Sequence, residues 1–137
     1  MKHLTIAFLF FVTLSANKCT DTSGASAASI VDQKWVFQTL NGERLDLPAG
    51  TEAPWLKLTG DQVQGFGGCN SFMGTYKRDG TDVSMPALAS TKKFCEGVQP
   101  TENAIKEALG QVDSFKLEDG LLTLMGGGNA LATLRGE

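Results

Sequence analysis

A mainly β domain of the α+β class is predicted by three features of the chain. Short aromatic or β-branched segments recur between turn dipeptides such as Asn41-Gly42 and Asp119-Gly120. Only one stretch, near residues 101–112, repeats its apolar residues at helical spacing. The segments stand too close together for parallel crossovers, so the expected architecture is an antiparallel, strongly curved sheet or partly open barrel of about seven to eight strands that one α-helix plugs. The 137 residues, 42% hydrophobic and 20% charged, suit a single hydrophobic core.

The chain opens with a segment that does not belong to that core. Met1, Lys2 and His3 make a positively charged start, followed by an apolar run from Leu4 to Leu14. That run falls short of the roughly 20 residues needed to cross a bilayer and fits the apolar centre of a secretory signal. Residues 1–19 are therefore read as a signal peptide. Cys19 lies just after the run, as in bacterial lipoproteins whose cysteine is acylated and becomes the new N-terminus, although Ala16-Asn17-Lys18 is a poor match to the residues that normally precede it. Ordinary cleavage near Ser15 or Ala16 is the alternative and would leave Cys19 a free or intermolecular thiol. Residues 20–29, rich in Ser, Thr, Ala and Gly, have no hydrophobic period and read as a flexible tether, with a root-mean-square span of about 17 Å for ten residues. The globular domain is assigned to residues 30–137. This organisation predicts an exported protein of the cell envelope, lipid-anchored through Cys19 and facing the periplasm; the alternative is a soluble periplasmic or secreted form.

Within the domain, Trp35 to Leu40 forms the first strand and ends on the Asn41-Gly42 turn. Trp55-Leu56-Lys57-Leu58 and Gln62-Val63-Gln64-Gly65 flank Thr59-Gly60-Asp61 and read as a hairpin. A second hairpin turns on Asp119-Gly120, which sets Leu117 opposite Leu122 and Phe115 opposite Leu124 on one face. The last strand, Ala130 to Leu134, has no evident register because Leu131 and Leu134 differ in parity. For the helix, Thr101 is the expected cap after Pro100, Glu102 supplies charge to the first turn, and Ile105, Ala108, Leu109 and Val112 form the apolar stripe. Lys106, Glu107 and Gln111 fall on its wet face.

Several functions are excluded or disfavoured. The one histidine of the chain is His3, in the signal, so the mature domain offers no histidine for nucleophile activation, acid–base work or zinc. The glycines at 65, 67 and 68 precede no Gly-Lys-Ser/Thr and read as a bulge or sharp turn rather than a phosphate loop. Asp79, Asp82, Glu96 and Glu102 lack paired-acid spacing and read as surface charge. Without Lys2 and Lys18 the remaining chain has ten basic and fifteen acidic residues, a net charge of −5, which argues against nucleic acid as a partner. Nothing calls for a cofactor or a metal.

The centre of the chain carries a family resemblance. Gly67-Gly68-Cys69-Asn70, then Phe72, Gly74 and Tyr76, then Ser90-Thr91-Lys92 and Cys95, then Glu102 and Leu109 follow in the order of the META-domain (HslJ-like) family, and Trp35 with Leu40-Asn41-Gly42 resembles its opening strand. Lys93 stands where the family usually has Met, and the last strand is unusually rich in glycine. The resemblance implies a β-rich domain of bacterial envelope lipoproteins, connected with stress, antibiotic tolerance or virulence, and without assigned catalytic residues.

With Cys19 set aside, Cys69 and Cys95 are the cysteines left in an exported domain and are expected to form a disulfide, the alternative being two buried free thiols. That bond would bring the Gly67 to Asn70 turn beside Thr91 and Lys92. Gly68, Asn70, Tyr76, Thr91 and Lys92 are therefore the candidate binding surface, and alanine at Asn70 or Lys92 is expected to weaken partner capture without loss of stability. The functional expectation is a non-catalytic binding or scaffold module that contacts another envelope protein or a small ligand; a carboxylate-dependent hydrolase is the alternative.

Overall fold

The computed structural model describes residues 30–137. The predicted signal peptide, Cys19 and the predicted tether of residues 20–29 lie outside these.

Among the described residues eleven strands and one helix follow in the order β1 (Lys34–Leu40), β2 (Glu43–Arg44), β3 (Trp55–Thr59), β4 (Gln62–Phe66), β5 (Ser71–Thr75), β6 (Lys77–Asp79), β7 (Asp82–Ser84), β8 (Leu88–Ser90), α1 (Gln99–Gln111), β9 (Ser114–Glu118), β10 (Leu121–Gly126) and β11 (Asn129–Gly136). The strands beyond the expected seven or eight are short: β2 has two residues, and β6, β7 and β8 have three each. Such segments are too brief for alternation to show in a sequence.

All the strands join one sheet in the order β6-β7-β9-β10-β11-β1-β3-β4-β5-β8, with β2 paired to β1 outside this path. The pairs are antiparallel. Strands β5 and β6 are separated in the chain by Tyr76 alone, yet they stand near opposite ends of the hydrogen-bonded order. The sheet must therefore curl round on itself, giving a strongly curved half-barrel as expected.

Alternation then decides what is inside. Trp35 and Phe37 on β1, Leu56 and Leu58 on β3, Val63 on β4, Phe72 on β5, and Leu122 and Leu124 on β10 are buried. The Trp35 indole Nε1 donates to the Ile30 carbonyl at 2.9 Å, so the polar edge of this core ring is satisfied. The hairpin β9–β10 has the predicted register, Leu117 opposite Leu122 and Phe115 opposite Leu124. Its turn residues Asp119 and Gly120 have φ of 50° and 74°, the left-handed pair that a two-residue hairpin turn requires.

Helix α1 fills the hollow of the sheet with Ile105, Ala108 and Leu109, and Val112 follows just beyond its end. It begins two residues earlier than predicted, and Thr101 is not its cap. The residue at the N-cap is Val98, which supplies no side-chain hydrogen bond. Pro100 sits inside the first turn, where a missing N–H leaves no helical bond unmade. The Thr101 hydroxyl donates instead to the Asp46 carbonyl at 3.2 Å, tying the helix start to the loop after β2.

Candidate functional site

The turn between β4 and β5 holds Gly67, Gly68, Cys69 and Asn70. Of the three glycines in this region only Gly68 needs its conformational freedom, with φ of +105°. Gly67 is required by proximity: a Cβ there would meet Glu102 Cγ at 2.7 Å. Gly65 likewise lies against the Phe72 ring and the Trp55 carbonyl. Cys69 is joined to Cys95 by the expected disulfide, with Cα atoms 5.9 Å apart. This bond clamps the turn to the irregular segment that leads from β8 into α1.

A second clamp is built from Asn70 and Glu102, both buried, at 2% and 1% exposure. Glu102 was expected at the surface and is instead wrapped. The Asn70 backbone N–H donates to Glu102 Oε2 at 2.6 Å, and its Nδ2 donates to Glu102 Oε1 at 2.8 Å and to the Lys93 carbonyl at 3.0 Å. Asn70 Oδ1 accepts from the Thr91 hydroxyl at 2.8 Å and from the Lys93 backbone N–H at 2.7 Å. Lys106 Nζ completes the cluster, 3.3 Å from Glu102 Oε1. Burial alone would raise the Glu102 carboxyl, but the hydrogen bonds from the Asn70 side chain and backbone, with the Lys106 ammonium, outweigh it and hold the group below its ordinary value. Glu102 is thus an ionised anchor and a poor proton donor.

The predicted binding residues therefore divide. Thr91 and Lys92 are exposed on the clamped segment, and Gly68 shapes the turn behind it. Asn70 lies in the same place but faces inward, with its side chain fully engaged. Tyr76 is not brought to this surface: it follows the far end of β5, about 20 Å along the strand from Asn70 at ~3.4 Å per residue. It is buried, and its hydroxyl donates to the Gly60 carbonyl at 2.8 Å. Phe72 is likewise in the core, and Phe66 is half-buried.

Sequence reasoning missed two members of this surface. Phe94 is 80% exposed, beside Lys92 and Lys93. Lys106 comes from the helix to the rim of the same shallow cleft, ≈ 240 Å³, lined also by Asn70, Thr91 and Gln99. A phenylalanine between two lysines and a disulfide cysteine is a usable signal, because a rigid exposed neighbourhood cannot bury it.

No carboxylate pair converges in this cleft. Asp79 and Asp82 face each other across the β6–β7 hairpin, both exposed, and Glu96 is exposed on the turn before α1. Among the described residues no group of three or more His, Cys, Asp or Glu side chains could hold a metal ion.

Residues 28–137 match the family model described as META domain. Two solved structures share the fold. An NMR structure of a protein from Burkholderia xenovorans is 22% identical, covering 99% of this chain and 97% of its own, with a TM-score of 0.65. A second NMR structure is 20% identical, covering 80% of this chain and 92% of its own, with a TM-score of 0.62. No curated protein matches the chain.

Proposed function

The chain belongs to the META domain family, and we propose that it works as a non-catalytic binding module tethered in the bacterial cell envelope. The single observation that carries this reading is the segment Thr91 to Phe94. It is held from behind by the Cys69–Cys95 disulfide and by Asn70, while Lys92, Lys93 and Phe94 face solvent. A rigid segment with cationic and aromatic groups exposed is built to make contact, because little conformational entropy remains to be lost on binding.

Tethering is supported by the signal-like residues 1–19, by Cys19 and by the small polar residues 20–29. A role in stress or antibiotic tolerance is what the family resemblance implies. The hydrolase alternative has less support, since Glu102, the most buried carboxylate available to it, is committed as an ionised structural anchor.

The test is fractionation followed by capture. The native chain is expected in the membrane fraction and the Cys19→Ser chain in the soluble one. Each is then used to capture partners from envelope extract, beside Lys92→Ala, which is expected to lose the partner while keeping the same melting temperature. Equal solubility of the first two chains sinks the tether. A purified chain that turns over an ester, peptide or glycan, and loses that activity when one carboxylate is replaced without unfolding, sinks the non-catalytic reading.

A further inference from the structure

Two large apolar side chains are exposed among the described residues, Met73 at 64% and Phe94 at 80%, and they line adjoining hollows. Met73 lines a small apolar hollow, ≈ 190 Å³, with Ser71, Ala89, Ser90 and Thr91. Ser90 and Thr91 also line the cleft of Lys92, Lys93, Phe94 and Lys106. The two hollows therefore adjoin at Ser90 and Thr91, beside β8, the last strand of the hydrogen-bonded order.

We infer that this Met73–Phe94 face seats the domain on an anionic bilayer surface. The inference rests on the reading that the Thr91 to Phe94 segment is the working surface, and it names the partner. Charge is the first reason. Residues 30–137 hold ten basic and fourteen acidic residues, an excess of negative charge, yet this face is locally positive. Lys106 is matched by Glu102, whereas Lys92 and Lys93 have no carboxylate within ion-pair distance among the described residues. Glu96 is the exposed acid nearest in sequence and leaves the pair of lysines in excess.

Shape is the second reason. Neither hollow, ≈ 240 and ≈ 190 Å³, reaches the roughly 300 Å³ at which small-molecule sites begin. What projects is Phe94, in the cleft of Lys92, Lys93 and Lys106, with Met73 exposed at the adjoining hollow. A phenylalanine and a methionine at the level of the acyl boundary, with lysines at the headgroups, is the arrangement of an interfacial anchor.

Binding of this size is weak alone. It becomes effective with a second signal, and a ten-residue tether from an acylated Cys19 would hold Ile30, the start of the domain, at a root-mean-square distance of about 17 Å from lipid, so that docking is intramolecular. The clamped segment then sits against headgroups and the tether takes up the remaining slack.

The experiment uses the purified chain carrying Cys19→Ser, so that no acyl group contributes. It is sedimented with phosphatidylcholine vesicles with and without phosphatidylglycerol. Sedimentation with the anionic vesicles only, weakened by added salt, is expected. Lys92→Ala should weaken it about fivefold, the usual loss for one lysine near a charged leaflet, and Phe94→Ala should weaken it at every salt concentration. The inference is overturned by no sedimentation with anionic vesicles, by equal sedimentation with both kinds, or by indifference to both substitutions. Absence of vesicle binding together with Lys92-dependent capture of an acidic envelope protein would overturn the bilayer as partner and leave the binding-module reading standing.

Discussion

Asn70 shows how far a residue's type can be from its role. The sequence marks it as a turn residue and a contact, but four hydrogen bonds occupy its side-chain amide and a fifth occupies its backbone N–H. Alanine at Asn70 is therefore expected to destabilise the domain and is no clean probe of binding. Its partner Glu102 gives the pH dependence. Its folded pKa is lowered, so its contribution is fully present above the ordinary value of 4.5 and is lost as pH falls through the lowered folded value. In Glu102→Gln an amide N–H₂ replaces one acceptor and faces an Asn70 donor. That variant should lose about 1–3 kcal/mol at neutral pH, the cost of an unsatisfied buried donor, and lose less on acidification than the native chain. Urea midpoints measured from neutral pH down to below 4 decide the point; parallel curves for the two proteins would show that Glu102 does not carry the acid limb.

Among the elements, the hairpin β9–β10 was readable because turn and alternation agree, and β11 was unreadable because its ladder is irregular. Opposite β10, Leu124 pairs with Ala132 and Met125 with Ala130, so Leu131 is an extra residue, a bulge. The bulge resets the parity and lets Leu131, Ala132 and Leu134 all be buried. Helix α1 was recognised by its stripe, and its start was misread because a side-chain cap was expected where the preceding turn, with Glu102 N–H donating to the Val98 carbonyl at 3.0 Å, does the work. The helix closes the open side of the sheet, so its inward residues should dominate its stability. Leu109→Ala, at a fully buried position, is expected to cost about 2–5 kcal/mol, against no more than about 0.5 for Glu107→Ala on the wet face. Similar midpoints for the two variants would mean that the helix is not part of the cooperative core.

Among the described residues the whole is one curled sheet round one core, crosslinked by the Cys69–Cys95 disulfide. The bond joins residues 26 apart, and the loss of loop entropy in the unfolded chain is about 3.5 kcal/mol on that model, a large share of the roughly 5–15 kcal/mol typical of a domain. The double variant Cys69→Ala with Cys95→Ala should therefore unfold at a clearly lower denaturant concentration. Amide exchange should quicken in residues 91–98 before it does in β10, because that irregular segment is held mainly by the bond and by Asn70, without a continuous strand ladder. Unchanged exchange there would show that Asn70 and Glu102 suffice to hold it.

Local rules were enough for the class of fold, the two hairpins, the helical stripe and the cysteine pairing, since each depends on spacing over a few residues or on a count. The family order of motifs was equally legible. What depends on residues far apart in the chain was not. Glu102 reads as first-turn surface charge until the curl of the sheet lays it 32 residues away against Asn70, and Tyr76 reads as part of the same surface until β5 carries it to the other end. Phe94 belongs to no alternation or helical stripe that would place it, and its exposure shows only in the structure. The physical reason is common to all three: alternation and spacing say which side of its own element a residue takes, whereas burial and polar partners are set by which distant element closes over it.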